Sequence, residues 1–329
     1  MPNTFDWAQI DSPEKFDQIA LNRYRDQYTH VAVYREFCDH LGRSPEQVES
    51  VEQIPYLPIS FFKTHQVVRK GSALNRFFTS SATTGMVPSK HYVPRIEVYE
   101  ASFRLGWELF YGPIENYCVL ALLPSYLERT GSSLVYMAQD MIQRSKHPKS
   151  GFYLDQYQDL SETILHLEAT QTPTLLLGVT FALLDFAEQY PMNLKHTIVM
   201  ETGGMKGRGR EMIREEVHQK LSTAWGGLSI HSEYGMTELL SQAYSRGNGV
   251  FSCPPWMRVN LRDTEDPLTR LPEGQSGGID IIDLANVDSC SFISTQDLGR
   301  STGPGQFKVL GRFDHAEIRG CNLLVAVHQ

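Results

Sequence analysis

Residues 118–123 read Cys-Val-Leu-Ala-Leu-Leu, a continuous apolar run of strand length. Two similar runs follow it, Leu-Leu-Leu-Gly-Val at residues 175–179 and Thr-Ile-Val-Met at residues 197–200. Continuous rather than alternating apolarity is typical of strands that are buried on both faces. Helical patterns separate the runs, so the order of elements predicts an α/β fold with a largely parallel sheet.

Three segments around these runs carry helix signals. Ser12-Pro13-Glu14 supplies an N-cap, a proline at the first helical position and an acidic first turn. Ser44-Pro45-Glu46-Gln47 has the spacing of a capping box and predicts a second helix start. Ile213, Val217 and Leu221 recur at a spacing of four and predict a helix after the third apolar run.

The last third of the chain has a different pattern. Residues 277–283 and 291–295 predict short strands joined by turns. We therefore interpret the chain as a single domain with a helical N-terminal region (1–60), an α/β core (61–250) and a β-rich subregion with a short tail (251–329).

Charge and apolar run lengths exclude two classes of function. The 329 residues carry 30 Lys and Arg against 38 Asp and Glu, a net charge of −8. A general nucleic-acid binder needs an excess of cations, so we expect no nucleic-acid partner. The longest apolar stretch, residues 175–184, is far shorter than the about 20 residues that span a bilayer.

The cysteines and the N-terminus indicate the compartment. The five cysteines are odd in number, widely scattered and form no C-x-x-C pair. This pattern favours reduced thiols in a cytosolic protein. Residues 1–7 have neither a basic nor an apolar segment of a signal peptide, so we expect a cytoplasmic protein.

A hydroxyl-rich loop spans residues 79–90. Small residues expose backbone N–H groups, and hydroxyls add donors for phosphate oxygens. Lys90 adds a charge nearby, but no Walker A pattern is present. By itself this composition favours a solvated surface loop. The candidate phosphate contacts are Ser80, Ser81, Thr83, Thr84 and Gly85.

A second candidate segment, Ser-Glu-Tyr-Gly-Met-Thr-Glu at residues 232–238, follows an apolar run. It places Tyr234, Gly235, Thr237 and Glu238 at the end of a predicted strand, where open α/β sheets bind ligands. An aromatic ring can stack on adenine, a hydroxyl can bond phosphate, and a carboxylate can hold Mg²⁺. A turn with a solvated glutamate explains the same residues.

Two further segments contain Asp297 and Arg312. Asp297 lies in Ser-Thr-Gln-Asp-Leu-Gly-Arg at residues 294–300, and Arg312 in Gly-Arg-Phe-Asp at residues 311–314. An aspartate can accept both ribose hydroxyls, and an arginine can reach ribose or phosphate. A salt bridge or a surface turn explains either residue alone.

In this order the four segments resemble the adenylate-forming superfamily of acyl-CoA synthetases and adenylation domains. The resemblance implies that the hydroxyl-rich loop wraps the phosphates of ATP and that the 234–238 motif holds adenine, the α-phosphate and Mg²⁺. It implies that Asp297 binds ribose and that Arg312 belongs to the motif ending the large domain. It also implies that Gly203 and Gly204 border the acyl and adenine pockets.

More closely, the chain resembles the LuxE family of acyl-protein synthetases, which are relatives of phenylacetate-CoA ligase. Four segments carry this likeness: residues 123–129, 132–134, 178–184 and 319–323. The resemblance implies that a long-chain fatty acid is activated as acyl-AMP, held on a cysteine and passed to a reductase partner. It points to Cys321, just beyond Arg319 and Gly320, as the acyl-accepting thiol.

Two features depart from the superfamily pattern. Ala82 stands where the loop usually has glycine, and the chain ends nine residues after Gly320. We therefore expect the large domain without the full mobile C-terminal domain that carries the catalytic lysine of CoA ligases. The predicted function is ATP- and Mg²⁺-dependent acid–thiol ligation on a protein. The alternatives are an acyl- or aryl-CoA ligase and a nucleotide-binding scaffold that has lost catalysis.

Overall fold

A computed structural model describes residues 5–80, 87–124, 131–203 and 212–312. Its α-helices are α1 Pro13–His30, α2 Ala32–His40, α3 Phe61–Thr64, α4 Ile96–Tyr111, α5 Ser133–Ser145, α6 Tyr157–Ala169, α7 Thr180–Gln189 and α8 Arg214–Ala224. Its strands are β1 Leu57–Pro58, β2 Phe77–Thr79, β3 Lys90–Tyr92, β4 Cys118–Leu122, β5 Gly151–Tyr153, β6 Thr174–Gly178, β7 Thr197–Glu201, β8 His231–Tyr234, β9 Ala243–Ser245, β10 Val250–Ser252, β11 Met257–Arg262, β12 Ser276–Asp283, β13 Phe292–Gly303 and β14 Gln306–Arg312. Short 3-10 helices lie at Asp6–Gln9, Val51–Gln53 and Ile114–Asn116.

One large mixed sheet organises these elements. Its strand order is β11-β12-β13-β14-β10-β9-β8-β7-β6-β4-β5, and β1 pairs with β13. Strands β5, β4, β6, β7 and β8 are parallel, and the strands from β8 through to β11 pair antiparallel. The α/β prediction is confirmed, because α5, α6, α7 and α8 connect successive parallel strands.

The three apolar runs form the centre of this sheet. Every residue of β4 and β6 is buried, as are all but one in β7. Helices cover a parallel sheet on both faces, which explains why these strands lack polar alternation. The predicted strands at residues 277–283 and 291–295 are also confirmed, the second as the start of the much longer β13.

The first helix starts as predicted. Ser12 Oγ accepts a 3.2 Å hydrogen bond from the Lys15 amide, and Pro13 is the first helical residue. After α2, Gly42 adopts φ +61°, a conformation that glycine takes without strain.

Two helix predictions need correction. Residues 44–47 form a turn rather than a helix start, although the Ser44 amide does donate to Gln47 Oε1 at 2.8 Å. The side chain therefore satisfies the amide without any helix following. Helix α8 begins at Arg214, so Ile213 precedes it and is 67% exposed, while Val217 and Leu221 are buried as expected.

Helix α1 packs against the segment between β12 and β13. Buried Arg23 donates to the Leu284 carbonyl oxygen at 2.8 Å. Gln27 donates to the Asn286 carbonyl oxygen at 2.8 Å and accepts from the Ser291 amide at 2.9 Å. Because Asn286 lies beside the cavity described below, the N-terminal region supports that cavity from behind. No helix in the described ranges has the length and apolarity needed to cross a membrane.

Candidate active site

A cavity of about 340 Å³ opens where the parallel strands end. The cavity draws residues from α3, β2, α4, α5, β8 and the β13–β14 pair. Its polar lining includes Lys63, Ser80, Ser89, Thr202, Glu233, Thr237, Glu238, Gln242, Asp297 and Arg312. This edge is where open α/β sheets bind ligands, as the position of residues 232–238 predicted.

Two distant motifs meet at Asp297. The Tyr234 hydroxyl, at the end of β8, donates to Asp297 Oδ2 at 2.8 Å. Arg312 Nε lies 3.4 Å from Asp297 Oδ1, in register with it across the β13–β14 pair. The Asp297 amide donates to Thr295 Oγ1 at 3.1 Å. The carboxylate is therefore held in one orientation at the cavity wall.

Tyr234 itself is buried, with 7% of its surface exposed. Its ring centre lies 5.7 Å from that of Phe251 and 5.3 Å from that of Phe307. Burial, and next the charge of Asp297, raise the pKa of Tyr234 well above its ordinary value. Tyr234 thus keeps its proton and serves as a donor to Asp297. Stacking of its ring on adenine stays a prediction.

Buried polar groups fix the backbone of Thr237 and Glu238. His91 Nδ1 donates to the Thr237 carbonyl oxygen at 2.8 Å, and His91 Nε2 lies 3.2 Å from Asn286 Oδ1. Asn286 Nδ2 in turn donates to the Glu238 carbonyl oxygen at 2.9 Å. Burial lowers the pKa of His91 to about 4, so its ring is neutral at pH 7.

A buried aspartate holds the residues that follow Glu238. Asp283 Oδ2 accepts from the Leu240 and Ser241 amides at 2.7 and 3.0 Å. Asp283 is fully buried, and satisfied amide bonds are what make an interior carboxylate tolerable. The 234–241 segment is therefore rigidly positioned from both sides.

Glu238 presents a desolvated carboxyl group to the cavity. Only 4% of the residue is exposed, and burial raises the pKa of its carboxyl above the ordinary value, while the Ser89 hydroxyl opposes that shift. A single carboxylate at a cavity can supply one ligand to Mg²⁺, an ion that completes its shell with phosphate oxygens and water. The described residues hold no cluster of three or more metal-binding side chains, so phosphate would have to supply part of the shell.

Two glycines near the cavity occupy positions that disfavour a side chain. A Cβ on Gly235 would lie 2.3 Å from Glu233 Oε1, so a larger residue there would require the Glu233 side chain to move. Gly203 has φ +80°, and its amide donates to Glu201 Oε1 at 2.7 Å. Its neighbour Thr202 lines the cavity. The predicted glycine segment thus starts at the site.

The hydroxyl-rich loop is closed at its base by paired serines. The Ser80 amide donates to the Ser89 carbonyl oxygen at 3.1 Å, and the Ser89 amide donates to Ser80 Oγ at 2.9 Å. Both serines line the cavity. Lys90, expected to charge this loop, instead places Nζ 4.5 Å from the centre of the Phe77 ring. The lysine at the cavity is Lys63, on α3.

Several predicted site residues lie outside the described ranges. These are Ser81, Thr83, Thr84, Gly85, Gly204 and Cys321. The four described cysteines, Cys38, Cys118, Cys253 and Cys290, are free thiols. Burial raises the pKa of each, to about 12 for Cys38 and Cys253, which disfavours the thiolate.

Sequence reasoning missed Lys63, His91, Glu233 and Gln242. No local pattern distinguishes the first two, because α3 is a single turn and His91 lies in a three-residue strand. Glu233 had a signal: it directly precedes Tyr234 in the motif, and successive strand residues face opposite sides of a sheet.

The chain is similar in sequence to one protein family and to a curated relative. Residues 2–104 match the family model described as Acyl-protein synthetase, LuxE. A long-chain-fatty-acid–luciferin-component ligase of Vibrio harveyi is 23% identical over 342 residues, which cover 96% of this chain and 89% of that protein. The chain resembles the LuxE acyl-protein synthetases. The resemblance predicted from the motifs is confirmed.

Solved structures bear on the fold. A 2-hydroxyisobutyryl-CoA ligase in complex with 2-HIB-AMP and CoA superposes with a TM-score of 0.68 at 16% identity, over 93% of this chain and 70% of that one. ATP-bound MatB from Rhodopseudomonas palustris superposes with a TM-score of 0.54 at 20% identity, over 74% of this chain and 49% of that one. The match thus spans about half of the MatB chain. The adenylate-forming fold predicted from the motifs is confirmed.

Proposed function

We propose that this LuxE-like protein activates a carboxylic acid with ATP and transfers the acyl group to a protein thiol. The observation that carries the proposal is the convergence of Asp297, Arg312, Thr237 and Glu238 on one cavity. The family match and the adenylate-forming fold support acid activation. A long-chain fatty acid is the substrate class suggested by the named activity of the Vibrio harveyi relative.

The residues divide into those that contact nucleotide and those that position them. Asp297 accepts the ribose hydroxyls, with Tyr234 and Arg312 holding its carboxylate in place. Thr237 and the hydroxyls of the 79–90 loop donate to phosphate oxygens. Lys63 and Arg312 bring positive charge to a cavity that must accept an anion.

Glu238 is the proposed Mg²⁺ ligand. When bound, the ion neutralises charge on the phosphates and so favours departure of pyrophosphate. Glu238 suits this role for two reasons. Asn286 holds its backbone through a hydrogen bond to the Glu238 carbonyl oxygen, and the residue lines the cavity. Little covalent work falls to the protein, so positioning and charge stabilisation supply the catalysis.

Both proposed steps are nucleophilic substitutions. A substrate carboxylate oxygen forms a bond to the α-phosphorus of ATP, the bond from that phosphorus to the bridging oxygen breaks, and pyrophosphate leaves. A thiolate then attacks the acyl carbon, the carbon–oxygen bond to the phosphate breaks, and AMP leaves. The thiol proton passes to solvent or to a base before attack, since thiolate is the nucleophile.

Cys321 is the proposed acceptor, from which a partner protein such as a reductase receives the acyl group. The raised pKa values of the four described cysteines support this choice, because each is a poor source of thiolate. Transfer to CoA instead of a protein is the second candidate, favoured by the structural likeness to a CoA ligase in complex with CoA.

Pyrophosphate exchange into ATP, driven by a panel of carboxylic acids, tests activation. We expect acid-dependent exchange in the presence of Mg²⁺, followed by a hydroxylamine-sensitive acyl adduct on the protein. Exchange followed by release of acyl-CoA would assign the CoA ligase alternative. A folded protein that binds ATP without exchange with any acid would contradict activation.

A further inference from the structure

Glu233 lines the cavity, and its side chain leaves β8 on the opposite face from that of Tyr234. Neighbouring strand residues point to opposite faces of a sheet. The face on which Tyr234 bonds Asp297 is therefore not the face on which the Glu233 side chain lies. Glu233 pairs directly across the sheet with Tyr244, and residues so paired share a face. The Tyr244 ring packs at 6.2 Å from that of Trp107, on α4.

On this side, apolar residues line the cavity together with Ser132 and Ser133. Tyr99 from α4, and Leu134 and Met137 from α5, line the same cavity as Glu233, as does Met236. The nucleotide contacts Asp297 and Arg312 come from the β13–β14 pair on the far side of β8. The cavity therefore has a nucleotide side and an α4–α5 side, and we assign the second to the acid.

Glu233 has no hydrogen bond or ion pair with any residue in the described ranges. Gln242 lines the same cavity, and its buried Oε1 also lacks a hydrogen-bond partner among the described residues. Burial, and next the charge of Glu201, raise the pKa of Glu233 to about 8. Glu233 is half-buried, whereas Gln242 Oε1 is fully buried, and a buried polar atom is costly unless something bonds it. Because both residues line a cavity, a bound ligand can supply the missing hydrogen-bond donor.

We propose that Glu233, with Gln242, selects an acid that carries a hydrogen-bond-donating group, either a hydroxyl or an ammonium, beside its alkyl chain. This inference rests on the proposed function and narrows its substrate. Plain alkyl chains satisfy Leu134, Met137 and Met236 but leave the Glu233 carboxyl desolvated and unbonded. A hydrogen-bond donor on the acid removes the cost of leaving the Glu233 carboxyl unbonded. Binding sites with such polar groups reject analogues that lack the donor.

The experiment compares octanoic and hexadecanoic acids with their hydroxy- and amino-substituted derivatives. Each acid is measured both in pyrophosphate exchange and by calorimetric binding to the intact protein. We expect substituted acids to exceed their parents by at least about tenfold in kcat/KM and in affinity. Preference for amino acids makes the Glu233 carboxylate a counter-ion, and preference for hydroxy acids makes it a neutral hydrogen-bonding partner.

Two variants assign the preference to Glu233. In Glu233→Leu the ratio between substituted and parent acids falls to about one, while the KM for ATP stays within about twofold. Glu233→Gln keeps the size of the side chain and retains part of the preference. Glu97→Leu, the same change at an exposed position on α4, leaves the ratio as in wild type.

Two results would overturn the inference. One is a wild-type protein that binds and exchanges parent acids as well as substituted ones, in which case the proposed function stands. The other is a Glu233→Leu protein that loses activity with all acids alike, which assigns Glu233 a structural role. Failure of the proposed function gives a different result, in which no acid supports pyrophosphate exchange. Calorimetric binding still shows in that case whether substituted acids bind more tightly than their parents.

Discussion

The Tyr234 hydroxyl donates a 2.8 Å hydrogen bond to Asp297 Oδ2 and so joins two motifs that lie 63 residues apart. Arg312 approaches the other oxygen of the same carboxylate. Asp297 is consequently oriented before any nucleotide arrives, which reduces the ordering cost of binding.

The first prediction tests this pair by a double-mutant cycle of Tyr234→Phe and Asp297→Ala. We expect Asp297→Ala to raise the KM for ATP about tenfold with a smaller change in kcat, because a ribose contact exists in ground and transition states alike. Tyr234→Phe should raise that KM less, and should add little in the Asp297→Ala background. Additive effects, or a raised KM for the acid alone, would place Asp297 elsewhere.

The second prediction concerns Glu238→Gln. An amide oxygen is a poorer Mg²⁺ ligand than a carboxylate, so exchange should fall by at least about tenfold, equivalent to about 1.4 kcal/mol of transition-state stabilisation. The fold should persist, since the Glu238 contacts that position the loop are made by its backbone. Glu97→Gln, at an exposed site, is the control. Near-normal exchange by a folded Glu238→Gln protein would remove Glu238 from the site.

The third prediction is that His91→Leu slows pyrophosphate exchange, although His91 itself does not contact the substrate. The change leaves the partly buried Thr237 carbonyl oxygen without its donor, which costs at most about 1–3 kcal/mol and loosens the motif. The pKa of His91 is about 4 in the folded protein and 6.5 ordinarily. Between these two pH values the unfolded chain therefore binds a proton on His91 that the folded protein does not. Its stability should therefore decline as pH falls from about 6.5 to about 4, and His91→Leu should lack that contribution.

Thermal unfolding across pH checks this, with the exposed His40→Leu as control. A parallel pH dependence in wild type and His91→Leu would show that the ring is not held neutral by burial.

The fourth prediction uses the opposite shift at Glu233. Its folded pKa of about 8 lies above the ordinary 4.5, so the folded protein holds a proton that the unfolded chain has lost in this range. Its contribution should therefore destabilise wild type progressively as pH rises from about 4.5 to about 8. The melting temperature of Glu233→Gln should exceed that of wild type by a margin that grows over this window. A margin independent of pH would mean that Glu233 ionises normally.

The fifth prediction concerns Cys321. Incubation with ATP, Mg²⁺ and a labelled fatty acid or its substituted derivative should label the protein through a hydroxylamine-sensitive bond. In Cys321→Ser the label should vanish while pyrophosphate exchange continues, because activation precedes transfer. Cys253→Ser is the matched control, since its pKa is raised to about 12. Label that persists in Cys321→Ser, or maps to another cysteine, would assign the acceptor elsewhere.

Three strands of the parallel half of the sheet, and the motif at its edge, could be recognised from the amino-acid sequence alone. Strands β4, β6 and β7 were predictable because both faces are covered, so each is written as an uninterrupted apolar run. The position of the 232–238 motif was predictable because the segment follows an apolar run, and open α/β sheets bind ligands at the carboxyl ends of their strands. The division of the chain into three regions stays a prediction.

Which side chains meet depends on how distant segments pack, and local sequence patterns do not show this. Local spacing carries no information about the pairing of β13 with β14, and that pairing brings Arg312 to Asp297. Nor does it show that His91 reaches Thr237, 146 residues away, or that Asn286 links both to α1. The same limit applies to Glu233. Its position in the motif is visible in the sequence, but its lack of a hydrogen-bond partner among the described residues follows from what the fold packs around it.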